Sequence, residues 1–379
     1  MKKDKGYKYR KLVKWAARIF VRLKFQYKPK PVLLGLDTPF IVVANHQTDY
    51  DAAFMMADIK DYFVPVASEH ATSTHMLAPL VREFIAPIKV YKGSLKIGAV
   101  RNILRKLKDG HSVMIHPEGT RSYDGRSLSI NTEIGKLVRA GKTALVTYRV
   151  QGGYFVTPRW ARHARKGKAW GQIVGVYKAD EIGKMTPEEV TEIIKRDLYQ
   201  DAYETQKVMK LSYKGKGLAE GIENLVFLCP KCNGVGTLKG RGNEAVCDCG
   251  FSAEIDEYGY FNGSESVADW NIRQQKQLDE MYNGDFVFED DNVTLSTILE
   301  DRSRAIIASG KCIADKDGIS IGGKRFDFRQ FDDLMELIAA GSVAVFSING
   351  IHYEISGKAL NTYKYWSLCE RVKRLKHGK

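Results

Sequence analysis

The chain has 379 residues, of which 44% are hydrophobic and 27% are charged, and this composition excludes a chain that is disordered throughout. Basic residues outnumber acidic ones by 59 to 45, and the resulting net charge of +14 predicts an anionic partner. Six cysteines are too few for a disulfide scaffold of this size. The sequence has no apolar run long enough for a transmembrane helix and no secretory signal, so we expect a reducing, cytosol-facing protein.

Most of the positive charge is local, because residues 1–30 hold nine Lys, three Arg and one Asp. Within them, Lys11–Phe25 has the period of an amphipathic helix. Its apolar side is predicted to comprise Leu12, Trp15, Ala16, Ile19, Phe20 and Leu23. Its basic side is predicted to comprise Lys11, Lys14, Arg18 and Arg22. This pattern is typical of a helix that binds an anionic membrane surface, here through residues 1–28. The alternative is a helix packed on the domain with a solvated basic face.

Short apolar runs then alternate with helical periods. Strands are predicted over Phe40–Ala44, Ile85–Tyr91, Ser112–Ile115, Ala144–Val150 and Ile173–Tyr177. Helices are predicted from about Ala52 and over Gly98–Leu107, Asn131–Arg139 and Pro187–Leu198, the last with a capping box of Thr186 and Glu189. This alternation predicts an α/β domain over residues 31–215.

His46 and Asp51 stand five residues apart, directly after the first buried strand. The ends of such strands carry the reactive groups of α/β folds. A His with a carboxylate partner is the simplest general base for a hydroxyl nucleophile. Because residues i and i+5 of a helix do not face each other, His46 must precede the helix. Asp49, at i+3, is a competing partner that the spacing leaves open.

A second motif, His116-Pro117-Glu118-Gly119-Thr120-Arg121-Ser122, follows another short apolar strand. Glycine allows the backbone to approach an anion closely. Arginine offers planar, bidentate recognition of phosphate, and the hydroxyl groups add donors. These residue types together indicate a phosphate-binding loop, although Glu118 alone could also be a local cap, and His116 and His111 have the character of structural histidines.

The order H-x4-D and then P-E-G-T-R-S resembles the glycerolipid acyltransferase family, which includes the 1-acylglycerol-3-phosphate acyltransferases, over about residues 35–215. The resemblance implies an acyltransferase-type mixed sheet with helices, with His46 as catalytic base and Asp51 as its orienting partner. The residues that it implies for the acceptor phosphate are Glu118, Gly119, Thr120 and Arg121. An intermediate family motif ends in Arg where this chain has Lys92, which keeps the charge but lacks the planar fork of a guanidinium. The resemblance implies that Lys92 helps Arg121 to hold the acceptor phosphate. His116 replaces the family's usual aromatic residue.

The implied reaction is direct acyl transfer from acyl-CoA or an acyl carrier protein thioester to the hydroxyl of a lysophospholipid. The implied acceptor is 1-acyl-sn-glycerol 3-phosphate and the product is phosphatidic acid. Another lysophospholipid or an amino-lipid remains an alternative acceptor, and a non-catalytic membrane-surface binding protein is the alternative from another class. We expect no catalytic metal or organic cofactor, and a peripheral or monotopic position on the cytoplasmic face of the membrane.

Two close cysteine pairs, Cys229 with Cys232 and Cys247 with Cys249, predict a zinc ribbon over residues 224–262. Four thiolates leave no open coordination position, so the predicted Zn²⁺ is structural. A redox pair and disulfides are the alternatives. The basic residues nearby are offset by acidic ones, which argues against nucleic-acid binding. Cys312 and Cys369 lie in apolar surroundings and are predicted to be core thiols.

The last segment, residues 263–379, is predicted to be a small α+β domain. Ser266 and Asp269 indicate the start of a helix, and Asp317-Gly318 and Asn349-Gly350 predict two hairpins. A closing helix is predicted, with a buried stripe of Leu360, Tyr365, Leu368, Val372 and Leu375. This order resembles a pleckstrin-homology-like barrel. Such a domain could bind lipid or protein, and a purely architectural role is an equal alternative.

Overall fold

The computed structural model describes residues 6–68, 81–90, 97–299, 303–338 and 342–376. They divide into two compact units. The first holds residues 6–214 apart from 160–163, and the second holds residues 160–163 and 215–376. The predicted division into segments 1–30, 31–215, 224–262 and 263–379 remains a prediction.

Within the described residues, the first unit is built on a sheet of six strands. They are β1 (Phe40–Ala44), β2 (Phe63–Ser68), β3 (Ile88–Val90), β4 (Ser112–Ile115), β5 (Ala144–Gln151) and β6 (Trp170–Tyr177). The sheet order is β3-β2-β4-β1-β5-β6, parallel except for the antiparallel edge strand β6. The predicted mixed α/β sheet is therefore confirmed. The strand predicted over Ile85–Tyr91 is too long, since a π-helical turn, Val81–Ile85, occupies its start.

The α-helices that the structure describes in the first unit are α1 (Arg10–Phe25), α2 (Asp51–Asp58), α3 (Ile97–Lys108), α4 (Glu133–Gly141), α5 (Gly153–Val156), α6 (Ala179–Gly183), α7 (Pro187–Leu198) and α8 (Ala202–Met209). They include the five that the sequence predicted and three that it did not, α5, α6 and α8. Helix α7 begins with the predicted capping box, in which Thr186 and Glu189 exchange hydrogen bonds. The core of this unit is Ile, Leu and Val from β1, β4 and β5, packed against α3, α4 and α7. Central strands buried on both faces are typical of parallel sheets.

Helix α1 packs on the domain with the side opposite to its apolar stripe. Its buried residues are Lys14, Ala17, Val21 and Phe25. The Nζ atom of Lys14 donates to the carbonyl oxygens of Ile59 and Asp61, and Arg18 Nε donates to Ala57 O at 3.1 Å. Lys14 and Arg18 therefore do not belong to a basic face open to headgroups or, as in the alternative, to solvent. They bind carbonyl oxygens at and just after the C-terminal end of α2, where backbone acceptors need donors and attract cations.

The apolar stripe of α1 is exposed instead. Leu12 is 52% exposed, Trp15 59% and Leu23 78%, and Lys11 and Arg22 are exposed beside them. The alternative in which this stripe packs on the domain is thus excluded by the structure. Among the described residues, no helix is both long and apolar enough to cross a membrane.

In the second unit, the cysteine segment forms a three-stranded antiparallel sheet. Its strands are β7 (Leu238–Arg241), β8 (Glu244–Cys247) and β9 (Ser252–Glu254). A short hairpin follows, of β10 (Tyr260–Phe261) and β11 (Glu265–Ser266), and it leads into helix α9 (Val267–Met281). Ser266 and Asp269 form the predicted capping box of this helix.

The rest of the second unit is an antiparallel sheet with a closing helix. In the part of the chain that the structure describes, its strands are β12 (Phe288–Ile298), β13 (Arg304–Ala314), β14 (Gly318–Ile321), β15 (Lys324–Asp327), β16 (Glu336–Ile338), β17 (Val343–Ile348) and β18 (Ile351–Ser356). Their order is β15-β14-β13-β12-β18-β17-β16. Both predicted hairpins are present, and Asn349 and Gly350 have the positive φ angles of a type I′ turn.

The closing helix α10 (Thr362–Lys376) buries most of its predicted stripe. Tyr365, Leu368 and Val372 are buried, whereas Leu375 is 56% exposed because it lies in the last turn of the helix. Cys312 and Cys369 are buried as predicted. The α+β character of this segment is confirmed, and the resemblance to a pleckstrin-homology-like barrel remains a prediction.

Candidate active site

The chain leaves the sheet at the end of β1, and Asn45 shapes this exit. Its side-chain amide donates to Val150 O at 2.9 Å and its side-chain oxygen accepts from Val150 N at 2.7 Å. These bonds fix the backbone after β1 against the neighbouring strand β5. His46 follows immediately, and helix α2 begins five residues later at Asp51. His46 therefore precedes the helix, as the spacing required.

The carboxylate of Asp51 accepts three kinds of donor. His46 Nδ1 lies 2.9 Å from Asp51 Oδ2, and the backbone N–H groups of Gln47 and Thr48 lie 2.7 and 3.1 Å from the same oxygen. The carboxylate is fully buried, while the side chain of His46 is 22% exposed. The loop between the two residues thus wraps around the carboxylate and leaves the imidazole at the surface of the site.

Burial raises the pKa of Asp51 to about 7, against the lowering effects of the Thr48 and Gln47 N–H groups and Arg121. Below this pH the carboxyl group is protonated and no longer accepts a hydrogen bond from His46 Nδ1. The pair is therefore competent on the alkaline side of this pKa. There the buried anion is positioned to stabilise an imidazolium on His46.

Asp49, the competing partner of His46, has another contact. Its Oδ1 atom lies 3.0 Å from Nε of Arg121, and Arg121 Nη1 donates to Thr157 O at 3.3 Å. In the structure, Asp51 is thus the partner of His46, and Asp49 forms an ion pair with Arg121. Asp49 is 46% exposed, so its ion pair with Arg121 is open to exchange with a solvent-borne anion.

Glu118 connects the two motifs. Its Oε1 atom accepts from His46 N at 3.0 Å and its Oε2 atom accepts from Leu128 N at 2.7 Å. Burial raises its pKa to about 7, with the two N–H groups acting in the opposite direction. Both oxygens are therefore engaged by the backbone, which is the local structural role that the sequence left open. The headgroup contact predicted for Glu118 remains a prediction.

The loop from Gly119 to Arg121 lies beside the pair. Gly119 has a φ of +72°, which favours glycine. Apart from its two chain neighbours, no heavy atom of the described residues lies within 4 Å of where a Cβ would stand. Thr120 Oγ1 accepts from Nη1 of Arg159, and the same nitrogen donates to Arg121 O at 2.9 Å. The loop therefore presents an open backbone together with two guanidinium groups.

Three of the predicted phosphate residues, Gly119, Thr120 and Arg121, thus lie together near His46. Lys92 lies outside the described residues, so its predicted role remains a prediction. Two residues that the sequence did not assign to the site lie within it. Arg159 comes 38 positions after Arg121, and no spacing rule would have found it. His116 carried a signal, since it departs from the family's aromatic residue.

His116 stacks on His46. The ring centroids are 4.1 Å apart and the ring planes differ by 9°. One ring nitrogen of each histidine and one carboxylate oxygen of Asp51 all lie within 4.8 Å of one another. Because the two rings lie in nearly parallel planes, their nitrogen lone pairs do not converge on one ion. The arrangement fits acid–base chemistry better than metal coordination.

The second cluster of this kind among the described residues is the four cysteines of the second unit. Cys229 Sγ lies 3.9 Å from Cys249 Sγ, and Cys232 Sγ lies 3.8 Å from Cys247 Sγ. A tetrahedral zinc site with Zn–S bonds of about 2.3 Å places its sulfurs about 3.8 Å apart. All six cysteines of the chain are free thiols, which argues against the disulfide alternative.

Backbone N–H groups support this cluster. Lys231 N points to Cys229 Sγ at 3.5 Å and Gly234 N points to Cys232 Sγ at 3.4 Å. Such donors stabilise thiolates, the form in which cysteine binds metal. In the tighter second knuckle, Gly250 adopts a φ of +81° and donates to Cys247 O at 3.0 Å. The donor set and its spacing therefore fit Zn²⁺.

Residues 21–151 match the family model described as Acyltransferase. Among solved structures, the chain is similar to the 1-acyl-sn-glycerophosphate (LPA) acyltransferase PlsC from Thermotoga maritima. The identity is 24%, the match covers 55% of this chain and 84% of that chain, and the TM-score is 0.41. A likeness at this TM-score carries no argument of its own. No curated protein matches the chain.

The matched segment contains His46, Asp51 and the loop from His116 to Ser122. The sequence resemblance and the family model therefore agree on this segment of the chain. Residues 21–151 are similar to the acyltransferase family.

Proposed function

We propose that this protein transfers an acyl group from an acyl thioester to the free hydroxyl of a lysophospholipid. The proposed acceptor is 1-acyl-sn-glycerol 3-phosphate, and the product is phosphatidic acid. The observation that carries the proposal is the His46–Asp51 pair beside an open, arginine-bearing loop in an acyltransferase-family domain. The donor is acyl-CoA or an acyl carrier protein thioester.

The geometry supports His46 as the general base. The carboxylate of Asp51 only accepts hydrogen bonds, so Nδ1 of His46 carries the proton and Nε2 carries the lone pair. Nε2 then takes the proton of the acceptor hydroxyl as its oxygen attacks the thioester carbonyl carbon. When the tetrahedral intermediate collapses, the C–S bond breaks and His46 returns the proton to the leaving thiolate. The buried Asp51 stabilises the imidazolium between these two transfers.

The acceptor phosphate is proposed to bind at Gly119–Arg121. Its oxygens would replace the carboxylate of Asp49 as the partner of Arg121, whose guanidinium can bind phosphate through two hydrogen bonds. The open space over Gly119 lets the phosphate approach the backbone closely. Arg159 holds this loop through Thr120 and adds positive charge. Binding of the phosphate at this loop would thereby place the acceptor hydroxyl near His46.

Purified protein should be tested with an acceptor panel, with both kinds of thioester as donor. We expect faster transfer to lysophosphatidic acid than to lysophosphatidylcholine or monoacylglycerol, because only a terminal phosphate satisfies Arg121. The control is His46→Ala, which should abolish the transfer while the protein stays folded. If the protein prefers another lysophospholipid, the proposed acceptor is wrong and the proposed reaction still holds. Binding of lysophospholipid without turnover by any pair would favour the non-catalytic alternative.

The exposed stripe of α1 is proposed to place the site at a membrane surface. Leu12, Trp15, Ile19 and Leu23 of this stripe are exposed, and the exposed Lys11 and Arg22 beside them suit anionic headgroups. Helix α1 also packs directly on the helix that begins with Asp51, and the Phe20 and Tyr50 rings lie 5.2 Å apart. A lipid surface bound by α1 therefore lies close to the residues that need a lipid acceptor. This supports the peripheral or monotopic position.

The double variant Leu12→Ser, Leu23→Ser should lower the affinity for vesicles of anionic phospholipid by about tenfold or more, because two apolar side chains no longer enter the interface. Cosedimentation measures the effect. Val208→Ser is the matched control, because Val208 is 81% exposed on α8 and is not part of the stripe. Equal affinities of all three proteins would place the membrane contact elsewhere.

The four-cysteine cluster is proposed to bind one structural Zn²⁺ through Cys229, Cys232, Cys247 and Cys249. With four protein ligands, the ion has no open position and serves to hold the turns of the small sheet together. This assignment rests on the sulfur distances and on the backbone donors to the thiolates. If the four cysteines bind zinc, they do not form the redox pair of the alternative.

Metal analysis should find one zinc per chain, and Cys229→Ser should lower this content because three thiolates bind less tightly. The matched control is Cys312→Ser, which removes a buried thiol outside the cluster and should keep the zinc. Folded protein without zinc, in which these four thiols react freely with a thiol reagent, would refute the site.

A further inference from the structure

The stacking of His116 on His46 follows from the sheet. Strands β1 and β4 are parallel neighbours, with Val43 opposite Ile115. The residues that follow the two strands therefore lie side by side, and the rings of His46 and His116 meet face to face at 4.1 Å. The mechanism above uses His46 and leaves His116 without a role.

The Nδ1 atom of His116 has a defined state. It lies 3.0 Å from both Ala44 O and Asn45 O. Carbonyl oxygens only accept hydrogen bonds, so this nitrogen carries the proton. Desolvation and the neighbouring His46 lower the pKa of His116 to about 3, so its ring is neutral under physiological conditions. A phenylalanine or tyrosine ring would stack on His46 but would not donate to these two carbonyls.

The charged groups around the two rings define what His116 can influence. Asp51 interacts with His116 from the start of α2, and Glu118 and Arg121, from the loop that carries His116, interact with Asp51. Asp51 fixes one edge of the His46 ring through Nδ1. The flat face of His116 packs on the ring itself and fixes its plane. Its two carbonyl bonds also hold the backbone that leads into His46.

We propose that His116 is a positioning residue for the acyl transfer, in that its neutral ring holds the His46 imidazole in the plane in which Nδ1 meets Asp51. This proposal rests on the function proposed above.

Two variants separate the stacking from the hydrogen bond. His116→Phe keeps a flat ring and loses the donor, and it should keep plateau kcat within about threefold. His116→Asn keeps a donor and loses the ring. It should lower plateau kcat by about tenfold or more, with little change in the acceptor KM. A merely structural role would lower the thermal stability of both variants and leave the kcat of the folded proteins unchanged.

An NMR titration of the imidazole ring signals gives a readout that does not need turnover. We expect His116 to show the Nδ1–H tautomer and no titration between about pH 5 and 8, whereas the His46 signals should shift in both variants. If no acceptor is turned over, the proposed function fails and these signals still test the positioning. A His116 that titrates in this range, or a folded His116→Asn variant with the kcat of the wild type, would overturn the proposal.

Discussion

The hydrogen bond between the buried carboxylate of Asp51 and Nδ1 of His46 is the interaction on which the site depends. Asp51 is the first residue of α2, and the backbone N–H groups of the preceding turn hold its oxygen in place. Burial makes the charged form costly, which makes the carboxylate a strong partner for a cation that forms beside it. The function of His46 as a base is thus set by a group that solvent does not reach.

The parallel register of the sheet brings the remaining groups to this pair. Strand β1 lies between β4 and β5, so the three loops that follow them meet at one edge. Asn45 bonds the loop after β1 to β5, and Glu118, in the loop after β4, accepts from His46 N of the first loop. Arg121, also in the loop after β4, donates to Thr157 O in the segment that follows β5. The reacting groups are therefore held by backbone contacts between loops, and the guanidinium of Arg121 is left near the open backbone at Gly119.

Much of this arrangement could be predicted from the sequence. The strands ending at Ala44 and Ile115 have the predicted bounds because short apolar runs with clear ends leave little choice. The contact between His46 and Asp51 follows from the family spacing and from the need for a turn before the helix. Strand β2 was not predicted, since Pro65 in its middle argues against a strand inside a sheet.

Other features depend on contacts that no local pattern encodes. The orientation of α1 is set by carbonyl oxygens at the end of α2, which accept hydrogen bonds from Lys14 and Arg18. The apolar stripe on the other side of α1 is therefore exposed. Periodicity showed two faces and could not tell which one packs. The partners of Asp49 and Glu118 likewise depend on loops that are distant in sequence. Only the register of the sheet reveals that His116 stacks on His46.

The central claim is that Asp51 makes His46 a general base for acyl transfer. Its most direct test is the kcat of Asp51→Asn, which keeps the size of the side chain and replaces the carboxylate by an amide that does not stabilise the imidazolium. With the acceptor and donor that the wild type prefers, we expect kcat to fall by roughly 10²- to 10⁴-fold at an unchanged acceptor KM in a folded protein. A kcat within about threefold of the wild type would contradict the account.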